Sequence, residues 1–146
     1  KFLVVEQAAV IAHQMDLLMS VDGVGERVAL KMIMETDAFT SFTDPRKFCC
    51  HAGVVPFVYV SGSSQRSKNR VSNRADKSIK HLLHMAALSV SQVKNSPLKK
   101  YYDRKVEEGK NKMSVLNAVR AKLVTIMFAV IRTDAFFSRN YQNSLA

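Results

Sequence analysis

Leu17-Leu-Met-Ser-Val-Asp-Gly23-Val-Gly25-Glu-Arg-Val-Ala29 is the stretch that decides the fold of this 146-residue chain. Before it, apolar residues recur at three- and four-residue steps between Val5 and Met19, which predicts a helix over 2–20 that contributes to the core. After it, the same spacing predicts a shorter helix from Glu26 to about Thr36. Glycine adopts positive φ at no steric cost, so the two glycines permit a tight turn between these helices.

The turn fits a helix-hairpin-helix element. In such an element the start of the second helix offers free N–H groups and a partial positive charge, a natural seat for a phosphate beside Gly23 and Gly25. The alternative is an ordinary helix–helix turn that serves packing alone, because two glycines are a weak signal. Asp22 and Glu26 flank the turn and weaken the case for a DNA contact.

The rest of the chain predicts a mainly α, single-domain protein over 1–146. Asp44 and Pro45 are typical of the N-cap and first residue of a helix, and Gly53 is typical of its end. The next residues, 54–60, are rich in β-branched and aromatic side chains and predict one short strand-like segment. Further helices are predicted over 75–93, 98–108 and 113–132, followed by a loose tail over 133–146.

Composition narrows the function classes. The chain has a net charge of +10, 47% hydrophobic residues and 23% charged residues, which excludes a fully disordered chain. Its longest apolar run, 123–131, is about half the roughly 20 residues that a membrane span needs. Cys49 and Cys50 are adjacent and make no disulfide framework, which indicates a reducing, intracellular setting. Neither they nor the histidines have the spacing of a structural zinc site, so we predict no metal site in this chain.

Positive charge is concentrated in two segments, 61–80 and 94–112. A field of one sign attracts polyanions, so these segments predict contacts with nucleic acid. The alternative is a lysine-rich surface that aids solubility. The predicted contact residues in these segments are Arg66, Lys68, Arg70, Arg74, Lys77, Lys99 and Lys100. Tyr101 and Tyr102, close to the last two, could stack on bases, although a solvated amphipathic helix fits the same spacing.

Serines follow the strand-like segment directly, in the order Ser61-Gly-Ser63-Ser64. Arginine binds phosphate in a bidentate manner, so a serine beside the arginines of 66–74 is a candidate phosphoryl-transfer site. A serine nucleophile needs a base or metal to activate it, and the sequence names no such base. The alternative is a flexible Ser/Gly linker.

Six blocks in order carry a family resemblance. They are Leu17-Leu-x-Ser-Val-x-Gly-Val-Gly25, Phe42-Thr-Asp-Pro-Arg-Lys-Phe48, His51-Ala-Gly-Val-Val-Pro56, Ser61-Gly-x-Ser64 with Arg70-Val-Ser72, His84-Met-Ala-Ala-Leu88, and Lys99-x-Tyr-Tyr followed by Glu108-Gly-Lys-Asn-Lys112. With these blocks, residues 15–132 resemble the C-terminal domain of the Piv/MooV-type insertion-sequence transposases, whose characterised members are bridge-RNA-guided recombinases.

The resemblance implies a cytoplasmic bacterial or archaeal protein that acts on DNA. In this family an N-terminal RuvC-like domain carries a metal-binding DEDD set, and the C-terminal domain supplies a serine that forms a covalent phosphoserine with DNA. The serine carries over to Ser61, with Ser63 and Ser64 as alternatives, and the basic loop 66–74 carries over as a DNA or guide-RNA contact. The resemblance also implies Mg²⁺ bound by the N-terminal domain and assembly into a homo-oligomer.

Two functions from different classes therefore remain open. The first is the DNA-binding and serine-nucleophile domain of a transposase or recombinase. The chain starts with Lys1 and lacks a DEDD domain, so it is expected to be a fragment that is inactive alone. The second is a non-catalytic helical nucleic-acid-binding module built on the hairpin and the basic loop. Covalent attachment of DNA to Ser61 separates the two.

Overall fold

The computed structural model describes residues 2–54 and 77–139, and within these ranges the protein is helical, with no strand. The mainly α prediction is confirmed. The predicted strand-like segment 54–60 lies outside the described residues except for its first residue. The helices are α1 (Phe2–Met19), α2 (Glu26–Glu35), α3 (Pro45–His51), α4 (Lys77–Val90), α5 (Pro97–Glu107) and α6 (Lys112–Thr133).

Local sequence fixes where several of these helices begin. The Asp44 carboxylate accepts a hydrogen bond from the backbone N–H of Arg46 at 2.9 Å, and Pro45 occupies the first turn of α3, as predicted. Helix α6 begins in the same way, because the Asn111 side chain accepts from the N–H groups of Met113 and Ser114. A proline also opens α5, where the missing N–H costs no helical hydrogen bond.

Helix α6 is the centre of the molecule, since α1, α3, α4 and α5 all pack against it. Its side chains Val119, Leu123 and Met127 are fully buried. Among the described helices, α6 is long and apolar enough to cross a membrane by length and composition, and half of that stretch is buried inside the molecule. The contacts with four other helices account for its apolar character as that of a core helix.

Helix α1 contributes to the core only at its C-terminal end. Leu17 and Leu18 are buried, whereas every described side chain from Leu3 to His13 is exposed. The prediction that the apolar residues between Val5 and Met19 form the packed face of α1 is therefore wrong for most of the helix. Val5 is 68% exposed and Met19 is 47% exposed. Apolar residues surround this helix on all sides, so their spacing alone does not select the face that packs.

The turn between α1 and α2 packs closely against α4. Gly23 has a φ of +84°, and a Cβ atom built on it would lie 2.6 Å from the Cβ of Val90. A side chain at this position would therefore collide with α4. Gly25 differs from the expectation of positive φ, because it has extended backbone angles, φ −96° and ψ −178°, and precedes α2 as its N-cap.

A left-handed segment follows α2. Asp37, Ala38 and Phe39 have φ values of 49°, 54° and 62°, which side chains other than glycine seldom adopt. The backbone N–H of Ala38 donates to the carbonyl of Ile33 at 2.8 Å, which closes the end of α2. Phe39 then contacts Phe128 of α6 edge to face, with ring centroids 5.0 Å apart.

Residues 134–139 return to the α1–α2 turn. The backbone N–H of Phe137 donates to the Ser20 hydroxyl at 2.9 Å. The Arg139 guanidinium donates to both carboxylate oxygens of Asp22, at 2.9 and 3.0 Å. The first part of the segment predicted as a loose tail thus contacts the turn, and residues 140–146 lie outside the described residues.

Candidate nucleic-acid interface

The predicted site residues divide into two groups. The serines and the basic loop lie outside the described residues, so the structure gives no geometry for them. They are Ser61, Ser63, Ser64, Arg66, Lys68, Arg70 and Arg74. The second group comprises Gly23 and Gly25 in the α1–α2 turn, Lys77 at the start of α4, and Lys99 and Lys100 on α5. Direct contacts between these residues and nucleic acid stay predictions.

The two predicted lysines of α5 differ in their surroundings. Lys100 is exposed, whereas the ammonium group of Lys99 pairs with the Asp103 carboxylate at 2.7 Å, four residues along the helix. Exposed ion pairs of this kind are worth about 0.3–0.5 kcal/mol, so Lys99 can exchange its partner for a phosphate at little cost. The Asp103 carboxylate partly neutralises the charge of Lys99, so Lys100 presents more positive charge to solvent than Lys99 does.

A basic and aromatic cluster joins α5 to α6. The Lys122 ammonium lies 4.7 Å from the ring centroid of Tyr101, and the Arg104 guanidinium lies 5.7 Å from the same centroid. Lys105 is 6.0 Å away on the same helix. Cations at these distances interact with the negative face of the ring. Sequence reasoning selected Tyr101 but missed Lys122, which only the packing of α6 against α5 brings to that ring.

Arg120 of α6 is a buried cation that sequence reasoning missed. The residue is 7% exposed, and its Nε is a buried donor without an acceptor. Burial lowers the pKa of this guanidinium from its ordinary value. The signal in the sequence is the position of Arg120 four residues from both Leu116 and Val124, on an apolar helix face where charged residues are rare unless they are paired.

His84 of α4 lies near Arg120. The pKa of His84 is lowered from its ordinary value, first by loss of hydration, then by the charge of Arg120, and then by His81. One turn before Arg120 on α6, the side-chain oxygen Oδ1 of Asn117 is also buried without a donor. Residues 117–120 of α6 therefore hold two unsatisfied polar atoms, and Arg120 lies near the partly buried His84.

The cysteines and remaining histidines form no metal site that the structure shows. Within residues 2–54 and 77–139, no group of three or more His, Cys, Asp or Glu side chains could hold a metal ion. Cys49 is buried in the core, and burial, with smaller effects of Cys50 and Asp44, raises the pKa of its thiol to about 12. Such a thiol is neutral at physiological pH and a poor nucleophile.

Comparison with known proteins assigns the family. The model of the transposase IS116/IS110/IS902 family matches residues 15–103, more than half of the chain. The pilin gene-inverting proteins of Moraxella bovis and Moraxella lacunata are 27% and 26% identical to it over 127 residues, which is 87% of this chain and 39% of each relative.

A third relative is the insertion element IS110 uncharacterized 43.6 kDa protein of Streptomyces coelicolor. It is 27% identical over 129 residues, which is 86% of this chain and 31% of the relative. The chain thus spans less than two-fifths of the length of the relatives it matches. The family model nevertheless covers the α1–α2 turn, the serines and all of the basic residues predicted as contacts, and the chain belongs to the transposase IS116/IS110/IS902 family.

Proposed function

We propose that this chain is the DNA-binding and serine-nucleophile domain of an insertion-sequence transposase or recombinase. It acts with an N-terminal RuvC-like domain of the same protein and forms a covalent phosphoserine with DNA during strand exchange. The observation that carries this proposal is the family match over residues 15–103, which includes Ser61-Gly-Ser63-Ser64 and the arginines after it. Two relatives are named for inverting a gene, a reaction that requires DNA strands to be cut and rejoined.

The chemistry assigned to Ser61 is a phosphoryl transfer. Its Oγ attacks a phosphodiester, an Oγ–P bond forms, and the bond from phosphorus to one deoxyribose oxygen breaks. The serine proton passes to a base, and the leaving oxygen takes up a proton to become a hydroxyl. A hydroxyl of another strand then attacks the phosphoserine in the reverse sense, which rejoins DNA and releases the serine. Splitting the exchange into two steps conserves the energy of the phosphodiester.

Arg66, Lys68, Arg70 and Arg74 hold the DNA or guide-RNA backbone in this proposal, since guanidinium groups stabilise the charge that builds on a phosphate in the transition state. Lys77, Lys99 and Lys100 extend the same positive field. Contacts to phosphate carry no base information, so these residues bind DNA or guide RNA without selecting its sequence.

Magnesium belongs to the N-terminal domain in this proposal. The proposal assigns no magnesium ligand among the described residues, where no group of three or more His, Cys, Asp or Glu side chains could hold a metal ion. A bound Mg²⁺ would lower the pKa of a hydroxyl and neutralise phosphate charge. Without that domain we expect this chain to bind DNA without cleaving it. A cytoplasmic location and a homo-oligomer are further expectations from the family.

Trapping of a protein–DNA adduct tests the nucleophile. The parent protein and its Ser61→Ala, Ser63→Ala and Ser64→Ala variants are incubated with DNA and run on a denaturing gel. We expect Ser61→Ala to abolish the adduct while DNA affinity stays nearly unchanged, because a hydroxyl contributes little to binding. Loss of adduct only in Ser63→Ala or Ser64→Ala would move the nucleophile to that residue. Normal recombination by all three variants would leave the non-catalytic binding module as the function.

Salt dependence tests DNA binding by the chain alone. With about 6 phosphates neutralised, log K against log salt concentration should have a slope near −5. Fluorescence anisotropy of a labelled duplex measures this slope. Charge reversal at Arg66 and Arg70 should weaken binding to many sequences alike, and an affinity that does not change with salt would reject the basic segments as a DNA surface.

A further inference from the structure

We infer that Arg120 is the receptor for a phosphate group of the bound nucleic acid, with His84 as its neighbour across the α4–α6 contact. This assignment rests on the proposed function and deepens it, because it names a phosphate-binding residue outside the loop that the family resemblance points to. It also places the phosphate against the central helix of the fold.

The first support is the missing partner of Arg120. The residue is 7% exposed, its Nε has no acceptor, and none of the ion pairs among the described residues includes it. A buried charge without a counter-charge is costly, which is why buried arginines are almost always paired. The residue keeps 7% of its surface exposed to solvent.

The second support is the basic stripe that leads to Arg120 along α4. Lys77, Lys80, His81 and His84 recur at three- and four-residue steps and are exposed or partly exposed, while Ile79 and Leu83 between them are buried. Residues at these steps share one face of a helix. Helix α4 packs against α6, and the charge of Arg120 contributes to lowering the pKa of His84, so the end of this stripe lies at the same contact as the guanidinium. Lys77 and Lys80 give this face positive charge, and a positive face that leads to an unpaired arginine suits a polyanion.

A phosphodiester suits both the guanidinium of Arg120 and the positive charge along α4. Its two non-bridging oxygens match the parallel N–H groups of a guanidinium, and one of these bonds would satisfy the buried Nε of Arg120. His84 gains a partner from the same group, because a nearby negative charge favours its protonated form. A phosphodiester is also part of a long polyanion, so the same molecule can lie along the stripe of α4.

The test measures DNA affinity and stability in the same variants of this chain. Arg120→Met removes the charge and keeps an unbranched apolar side chain, and Arg120→Lys keeps the charge but loses the bidentate fork. The control is Arg132→Met, an exposed arginine on the same helix. The probe is a fluorescein-labelled 20-base-pair duplex followed by anisotropy across a salt series, and stability is measured by urea denaturation.

We expect Arg120→Met to weaken DNA binding about tenfold more than Arg132→Met and to reduce the salt slope by about 0.9, the value for one phosphate contact. Arg120→Lys should fall between Arg120→Met and the unchanged chain. The midpoint of urea denaturation should not fall in Arg120→Met, because removal of an unpaired buried charge relieves a cost. Lower stability with unchanged affinity would overturn the assignment and make Arg120 a structural residue.

Equal affinities of Arg120→Met and Arg132→Met would also overturn it, while salt-dependent binding by the unchanged chain would keep the proposed DNA interface. If the unchanged chain bound no duplex, the DNA interface and this assignment would fail together. Persistence of the adduct in all three serine variants would reject the serine nucleophile alone. Loss of affinity in Arg120→Met would still support the phosphate receptor in that case.

Discussion

Replacement of Gly23 by alanine tests how closely the α1–α2 turn approaches α4. The new Cβ atom would lie 2.6 Å from the Cβ of Val90 and 3.1 Å from the carbonyl oxygen of Ala86. Crowding of this kind costs about 1–3 kcal/mol, and alanine in a left-handed conformation costs about 1–2 kcal/mol more. Alanine restricts the unfolded chain and returns about 0.4–1 kcal/mol. We therefore expect the free energy of unfolding to fall by about 1–5 kcal/mol, out of a typical 5–15 kcal/mol.

Two other glycines separate the contributions to this loss. Gly109 has a φ of +87° with no atom within 4 Å of an added Cβ, so Gly109→Ala carries the backbone strain without the collision. We expect it to lose about 1 kcal/mol or less. Gly25 has no neighbour within 4 Å and an unstrained backbone, so Gly25→Ala should change stability by less than about 0.5 kcal/mol.

Urea denaturation followed by circular dichroism at 222 nm measures all three variants. A loss in Gly23→Ala that equals the loss in Gly109→Ala would refute the close approach to Val90. The same proteins test the phosphate seat, because Gly25→Ala is expected to leave the fold intact. Weaker DNA binding by Gly25→Ala would support a contact at the start of α2, and unchanged binding would leave the turn with a packing role.

Three further predictions concern single features of the described residues. Iodoacetamide at pH 8 should label Cys50 in the folded chain but Cys49 only after urea unfolding, because burial raises the pKa of the Cys49 thiol to about 12, and mass spectrometry of peptides reads this out. Arg120→Met should raise the pKa of His84 in an NMR titration, since the charge of Arg120 contributes to lowering it after burial; an unchanged value would contradict their proximity. Ala38→Gly should raise the free energy of unfolding by about 0.5–1 kcal/mol, as glycine relieves the strain of φ 54°, and a loss in urea denaturation would contradict that strain.

The helical elements could be predicted because their signals are local. Asp44 and Pro45 mark the start of α3, and the stripe Ile79, Leu83 and Val90 marks the face of α4 that the structure buries. A capping side chain needs only the next turn of chain, and an amphipathic stripe needs only its own helix. Such features follow from neighbours in the sequence.

The face of α1 and the contacts of Arg139 could not be predicted in this way. Helix α1 is apolar all round, so its buried end at Leu17 and Leu18 is selected by the helices that it meets. Arg139 pairs with Asp22 across 117 residues of sequence. A contact of that range depends on the packing of α1 against α6, which no local pattern encodes.

The candidate site also contains residues that the sequence identifies and a residue that only packing identifies. The resemblance selects residues in the loop and on α5 because their blocks are short and ordered, whereas Arg120 becomes visible only through its burial and its missing acceptor. The sequence alone does not distinguish an arginine with a buried guanidinium from one that extends its guanidinium to solvent along an apolar helix. Only the packing of α4 and α6 shows that the Nε of Arg120 does not reach solvent.

Helix α6 gives the proposed nucleophile and the proposed phosphate receptor a common support. Residues 55–76, which contain the three serines, join α3 to α4, and both of these helices pack against α6. The chain leaves α3 at Val54, which is buried and donates its N–H to the carbonyl of Cys49 at 2.9 Å, and the buried Ile79 anchors the start of α4. Phosphoryl transfer depends on positioning, since a misplacement of about 1 Å can cost about 100-fold in rate. A phosphate held by Arg120 would be fixed to α6, against which α3 and α4, the helices at both ends of residues 55–76, also pack. The proposed nucleophile and the proposed phosphate receptor would therefore be positioned by the same helix.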